Sequence, residues 1–130
     1  MTSTAEQVTA GPAVVCSGID HIVLYARDVE RSVRFYVDVL GMTVKSQSSG
    51  HAFLRCGDQL FGVFAADGDE DMGHGVELSH LAFNVDKGDV AVIKQALAAR
   101  GIDAHGRRAD PDCIYFSDPD GHSLQIVAPD

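Results

Sequence analysis

Basic residues are scarce in this chain: 10 Lys and Arg stand against 19 Asp and Glu in 130 residues, a net charge of -9. A protein that neutralises phosphates needs clustered Lys and Arg, so nucleic acid is excluded as a partner. Cysteine is scarce too. Cys16, Cys56 and Cys113 are too few and too scattered for a disulfide framework or a zinc-thiolate site, and they suit a reducing cytoplasmic setting. No apolar run is long enough to span a bilayer, which excludes a membrane partner from the reading. The opening 1–18 lacks both a basic n-region and an apolar core, so it reads as a flexible N-terminal tail and not a signal peptide. Apolar residues, by contrast, make up 45% of the chain. That suffices for a packed core, and the length suits one domain over 19–130.

An internal repeat is the most informative pattern. The run 19–25 (IDHIVLY) is apolar and β-branched, with His21 third. Asp28 follows as a helix N-cap, and Val29, Val33, Tyr36, Val37 and Leu40 then fall on one helical stripe that Gly41 ends. The run 78–85 (LSHLAFNV) repeats the plan with His80 third. Asp86 or Asp89 caps a second helix in which Val90, Ile93 and Leu97 share a face, and Gly101 ends it. His21 and His80 are 59 positions apart, Gly41 and Gly101 60, so the two landmarks keep nearly one spacing. The expected helices are 28–40 and about 87–100.

Short strand patterns follow each helix. They are Thr43–Gln47, His51–Cys56 and Gln59–Ala65 in the first half, then 103–105, Ile114–Ser117 and Ser123–Val127 in the second. Asp118-Pro119-Asp120-Gly121 carries a type I turn signature. The chain therefore reads as α+β, two βαβββ modules (about 19–66 and 78–130) joined by a polar, Gly-rich linker at 67–77. One module leaves a sheet face bare, so modules must pair into a cup-shaped mixed sheet with helices outside, either within one chain or across two. A homodimer is expected.

The runs 21–42 (HIVLYARDVERSVRFYVDVLGM), 79–83 (SHLAF) and 114–127 (IYFSDPDGHSLQIV) together resemble the vicinal oxygen chelate superfamily of glyoxalases, extradiol dioxygenases and bleomycin-resistance proteins. The resemblance covers nearly everything from Ile19 to Pro129. It implies a divalent metal in the cup (Mn, Fe, Ni or Zn) held by a His from each module and a Glu from the last strand. Matched position by position, these are His21, His80 and Gln125, the last departing from the family's Glu. The equivalent place in the first module falls at Phe61 or Gly62, neither of which ligates. Two imidazoles and one oxygen leave positions open for a bidentate substrate, with the ion as Lewis acid and template. With an amide in place of a carboxylate the site keeps its full +2 charge, which favours an anionic substrate. Tyr115 is the catalytic candidate, as hydrogen-bond donor or acid, and His105, Arg107 and Arg108 could meet an anionic group at the mouth.

The resemblance thus implies a metal-dependent lyase, thiol transferase, isomerase or dioxygenase acting on a small oxygenated molecule. The alternative is a metal-free protein of the bleomycin-resistance type that sequesters a drug or metabolite, which the loss of Glu favours. The ending YFSDPDGHSLQ resembles fosfomycin-resistance proteins, but Val23 stands where those carry Thr. His51, His74 and His122 occupy turn-like or linker surroundings and read as solvated. Asp118 and Asp120 read as turn residues, and Cys113 as a small buried filler.

Overall fold

A computed structural model describes residues 11–13, 15–66, 78–107, 110 and 112–129. The expected linker at 67–77, most of the N-terminal tail, His74 and Arg108 lie outside the described residues. The first module runs β1 (His21–Ala26), α1 (Val29–Asp38), β2 (Thr43–Gln47), β3 (His51–Cys56) and β4 (Gln59–Ala65). The second runs β5 (Leu81–Asn84), α2 (Val90–Ala99), β6 (Ile114–Ser117) and β7 (Ser123–Val127). None of the helices among the described residues is long and apolar enough to cross a membrane.

Both helices begin and end where capping chemistry puts them. Asp28 accepts the Arg31 N–H at 3.0 Å, and Asp89 accepts the Val92 N–H at 2.9 Å. Gly41 and Gly101 take φ of 72° and 75°, the left-handed conformation that turns the chain out of a helix. At the end of α2 the Gly101 and Ile102 N–H groups donate to the Ala98 and Leu97 carbonyls, a complete Schellman pair.

The first sheet has the order β1-β4-β3-β2 and the second β5-β7-β6, each mixed, with β1–β4 and β5–β7 parallel. The second sheet is one strand short of expectation. The segment 103–105 contributes only a bridge from His105 to Tyr115, because the backbone after the Schellman turn reaches β6 at that single position.

Period-two alternation divides each sheet into a core face and an open face. Leu24, Ala26, Leu54, Phe61 and Val63 of the first sheet join Ile114, Phe116, Leu124 and Ile126 of the second in one core cluster. Thus the two modules share a core. α1 lies between them: Tyr36 packs on Phe61 at 4.6 Å between ring centroids, and Phe35 meets Phe116 at 6.5 Å.

The 118–122 turn locks the second module to the first. The Tyr36 hydroxyl donates to Asp118 at 2.7 Å, and the Asp118 carboxylate also accepts the Asp120 and His122 N–H groups. Asp120 accepts from the Arg27 N–H, the Arg31 guanidinium and the Ser32 hydroxyl. The His122 ring, expected to be solvated, is buried and donates from Nε2 to the Tyr25 carbonyl at 2.8 Å. Burial and the Asp118 carboxylate push the Tyr36 hydroxyl's pKa far above its ordinary value.

α2 is seated less tightly than α1. Leu97 is its one buried residue, Val92 is 55% exposed, and a cavity of about 310 Å³ lies against it, bordered by Leu40, Met42, Cys56, Phe83 and Ile93. The apolar surroundings raise the Cys56 thiol's pKa. Cys113, expected as a buried filler, is half-buried and its thiol donates to the Asp110 carbonyl.

Candidate functional site

The open faces carry the candidate residues. On the first sheet, His21, Val23 and Tyr25 of β1 stand opposite Leu60, Gly62 and Phe64 of β4, and Phe53 of β3 is paired with Gly62. On the second sheet, Ala82 of β5 is paired with Gln125 of β7, which is paired in turn with Tyr115 of β6. The residue two places after each module's histidine thus pairs with Gly62 in the first module and Gln125 in the second. This register resolves the first module's counterpart of the oxygen ligand. It is Gly62, while Phe61 points into the core.

Four of the second module's candidates meet around one ring. His80 stands edge-on to Tyr115 at 5.4 Å between centroids, and His105 stacks on it at 6.3 Å. The Arg107 guanidinium lies 4.9 Å above the ring and donates to its hydroxyl. These neighbours explain why Tyr115, although on the open face, is only 7% exposed. The hydrogen bond to Tyr115 raises the pKa of Arg107 further, so it remains a cation.

His21 is not part of this group. Its contacts are the Asp20 carboxylate, which accepts from Nδ1 at 2.8 Å, and Phe53, edge-on at 6.0 Å. Two imidazoles on one ion would stand with their nitrogens about 3 Å apart, given metal–nitrogen bonds of about 2.0–2.1 Å. No hydrogen bond or ring contact among the described residues joins His21 to His80, Tyr115 or Gln125. Nor do the described residues hold three or more His, Cys, Asp or Glu placed so that they could share a metal ion.

The donor set nevertheless suits a divalent cation in kind. His80 repeats the arrangement of His21, with its Nδ1 at 3.0 Å from the hydroxyl of the preceding residue, Ser79. In both histidines an oxygen of the preceding residue engages Nδ1; the Asp20 carboxylate fixes His21 with Nδ1 as donor and Nε2 open, while the Ser79 hydroxyl orients the His80 ring in the same way. The half-buried Gln125 amide makes no hydrogen bond with another described residue, so its oxygen is available too.

A βαβββ module and a βαββ module, each with a histidine at or just before the start of its first strand, and an oxygen donor on the last strand of the second, form the pattern of a vicinal oxygen chelate fold. The model of the Glyoxalase/Bleomycin resistance protein/Dioxygenase superfamily matches residues 18–126, and the chain belongs to that superfamily. It is 30% identical over 111 residues to the glutathione transferase FosA of Serratia marcescens, covering 83% of this chain and 78% of that one. It is 31% identical over 119 residues to metapyrocatechase 2 of Cupriavidus necator, covering 90% of this chain but 35% of the larger enzyme. The lactoylglutathione lyase of Agrobacterium tumefaciens superposes with a TM-score of 0.67 at 25% identity, over 87% of this chain and 94% of that one. These relatives are named as a transferase, a metapyrocatechase and a lyase. They support an enzyme of this superfamily at the level of class, and the metallothiol transferase FosB of Bacillus licheniformis, 29% identical, supports metal dependence at the same level.

Proposed function

We propose that the chain, as a single unit over 19–130 with modules at about 19–66 and 78–130, is a metal-dependent enzyme that acts on a small, oxygenated, anionic substrate held by bidentate chelation. His21, His80 and Gln125 would hold the ion. When bound, it would supply Lewis acidity to the two chelating oxygens. The observation that carries the reading is the matched placement of the donors: two imidazoles, each engaged at Nδ1 by an oxygen of the preceding residue, and a Gln125 amide with no side-chain hydrogen bond among the described residues. Tyr115, whose ring stands edge-on to His80, donates a hydrogen bond to the substrate. Arg107 and His105, stacked on that ring, offer positive charge and a hydrogen bond to the substrate's anionic group.

Because His21 makes no contact with the second module's set, the site is assembled between two copies of the chain. The edge positions of β1 and β5 in their sheets favour that assembly. His21 of one copy would complete His80 and Gln125 of the other, making a homodimer with two sites. Gln125 supports the second reading, a metal-free binder of a drug or metabolite, since no carboxylate offsets the ion's charge.

Calorimetric titration of metal-free protein with Mn²⁺, Fe²⁺, Ni²⁺ and Zn²⁺ separates the two. The enzyme reading expects one ion per chain, lost in His21→Ala and His80→Ala, and bound about tenfold or more tightly in Gln125→Glu, where a carboxylate replaces the amide. If the wild type binds none of the four below millimolar, the enzyme reading fails and the binder replaces it.

A further inference from the structure

The ligand position of the first module is filled in a way that names the substrate's body. In the second module the register position two residues past the histidine faces Gln125; in the first it faces Gly62. A Cβ built on Gly62 would meet Val23 Cγ2 at 3.0 Å, Phe53 Cε1 at 3.1 Å and Phe64 Cε1 at 3.2 Å. Gly62 has no positive φ to require glycine, so the absence of a side chain answers to these neighbours instead. Phe53 lies across the bare backbone, edge-on to His21 at 6.0 Å and to Phe64 at 5.5 Å, with His51 at 6.1 Å on its other side. Where a fourth metal ligand would stand, this chain builds an aromatic wall next to its first one.

Resting on the proposed metal site, we infer that Phe53, with Val23 and Phe64 around Gly62, is the specificity-determining wall for a substrate whose chelating oxygens are attached to a planar apolar group. A ring or conjugated chain extending from an ion on His21 would lie along Phe53 and be removed from water there, whereas a small polar substrate would leave the wall wetted. Aromatic pairs of this kind add to what burial alone contributes.

Benzohydroxamate and acetohydroxamate present the same two oxygens and differ in phenyl against methyl, so they serve as probes. With Mn²⁺-loaded protein, calorimetry should find benzohydroxamate bound about tenfold more tightly, after division by the same ratio for free Mn²⁺. Phe53→Ala, and Phe53→Leu as a variant that keeps apolar volume, should reduce that preference to about threefold or less. Gly62→Ala should do the same by displacing Phe53. In metal-free protein, benzohydroxamate alone should shift the Val23 methyl and Phe53 ring resonances.

The outcomes separate the wall from the metal. If neither probe binds in a Mn²⁺-dependent way but benzohydroxamate still shifts those resonances, the metal reading falls and the wall stands. If both bind with Mn²⁺ at a ratio no larger than that for the free ion, or if both Phe53 variants keep the preference, the wall is overturned and the metal site survives. If the Val23 and Phe53 resonances respond to protein dilution and not to benzohydroxamate, a second copy of the chain covers this face and the inference is overturned.

Discussion

Replacing Tyr36 with Phe isolates the bond that ties the first module's helix to the second module's turn. Phe keeps the ring, and with it the contacts to Phe61 and Phe35, and removes only the hydroxyl that donates to Asp118 at 2.7 Å. Asp118 is 6% exposed and retains its two backbone N–H donors, but the oxygen facing Tyr36 is left without one. A hydrogen bond to a charged group contributes about 1.5–3 kcal/mol, so Tyr36→Phe should destabilise by that amount at pH 7 and lower Tm by about 5–12 °C. The effect carries a pH signature. Burial and Asp118 raise the folded-state pKa of Tyr36 far above the unfolded value of about 10. Its contribution is therefore complete below about pH 10 and is lost as pH rises, because only the unfolded chain releases the proton. By pH 11 the loss is about 1.4 kcal/mol, and the stability gap between wild type and Tyr36→Phe narrows by the same amount. Ionisation of the other tyrosines is common to both proteins and cancels in the difference. Urea unfolding at pH 7, 9 and 11 measures the gap. A gap below about 0.5 kcal/mol at pH 7, or one that stays constant to pH 11, refutes the view that this hydroxyl holds the modules together.

The proposed assembly of the site between chains has a quantitative consequence. His21→Ala and His80→Ala, each devoid of metal sites when alone, should regain about a quarter of the wild-type sites when unfolded together and refolded, since half of the dimers are mixed and each has one intact site of two; no recovery of bound Mn²⁺ would place both histidines of a site in one chain. Arg107→Gln should weaken binding of dianionic oxalate to the Mn²⁺-loaded protein about three- to tenfold more than binding of acetohydroxamate, which chelates as a monoanion, as measured by calorimetry. Equal effects on both ligands would reduce Arg107 to a packing partner of Tyr115.

Local chemistry made most of the fold legible. The bounds of β2, β3, β4, β6 and β7 agree with the sequence reading because turn residues punctuate them on both sides: Gly57-Asp58 between β3 and β4, Asp118 to Gly121 between β6 and β7. The opening strands are shorter than their apolar runs, since pairing and not hydrophobicity sets a strand's length. Leu78–His80 extend beyond the residues paired to β7, which begin at Leu81 opposite Leu124. His122 was misread for a related reason. Its turn is visible in the sequence, but its partner, the Tyr25 carbonyl, comes from 97 residues earlier.

The candidate site divides along the same line. Equal placement in a repeat was enough to put His21 and His80 at corresponding points of their sheets, each with an oxygen from the preceding residue on Nδ1. Which modules face each other depends on contacts such as Tyr36 to Asp118, 82 residues apart, and no local pattern encodes them. The sequence likewise left Phe61 and Gly62 as alternatives because a period of two fixes alternation but not its phase relative to a neighbouring strand. Pairing Val23 with Gly62 settles the phase, and it ties the missing side chain to packing: one placed opposite Val23 would press on Val23, Phe53 and Phe64 beside His21. A duplicated module that lost its ligand by drift alone would tolerate any small residue there. Here even a Cβ would meet three side chains at 3.0–3.2 Å, so Phe53 and its neighbours would have to shift by a few tenths of an ångström to admit it.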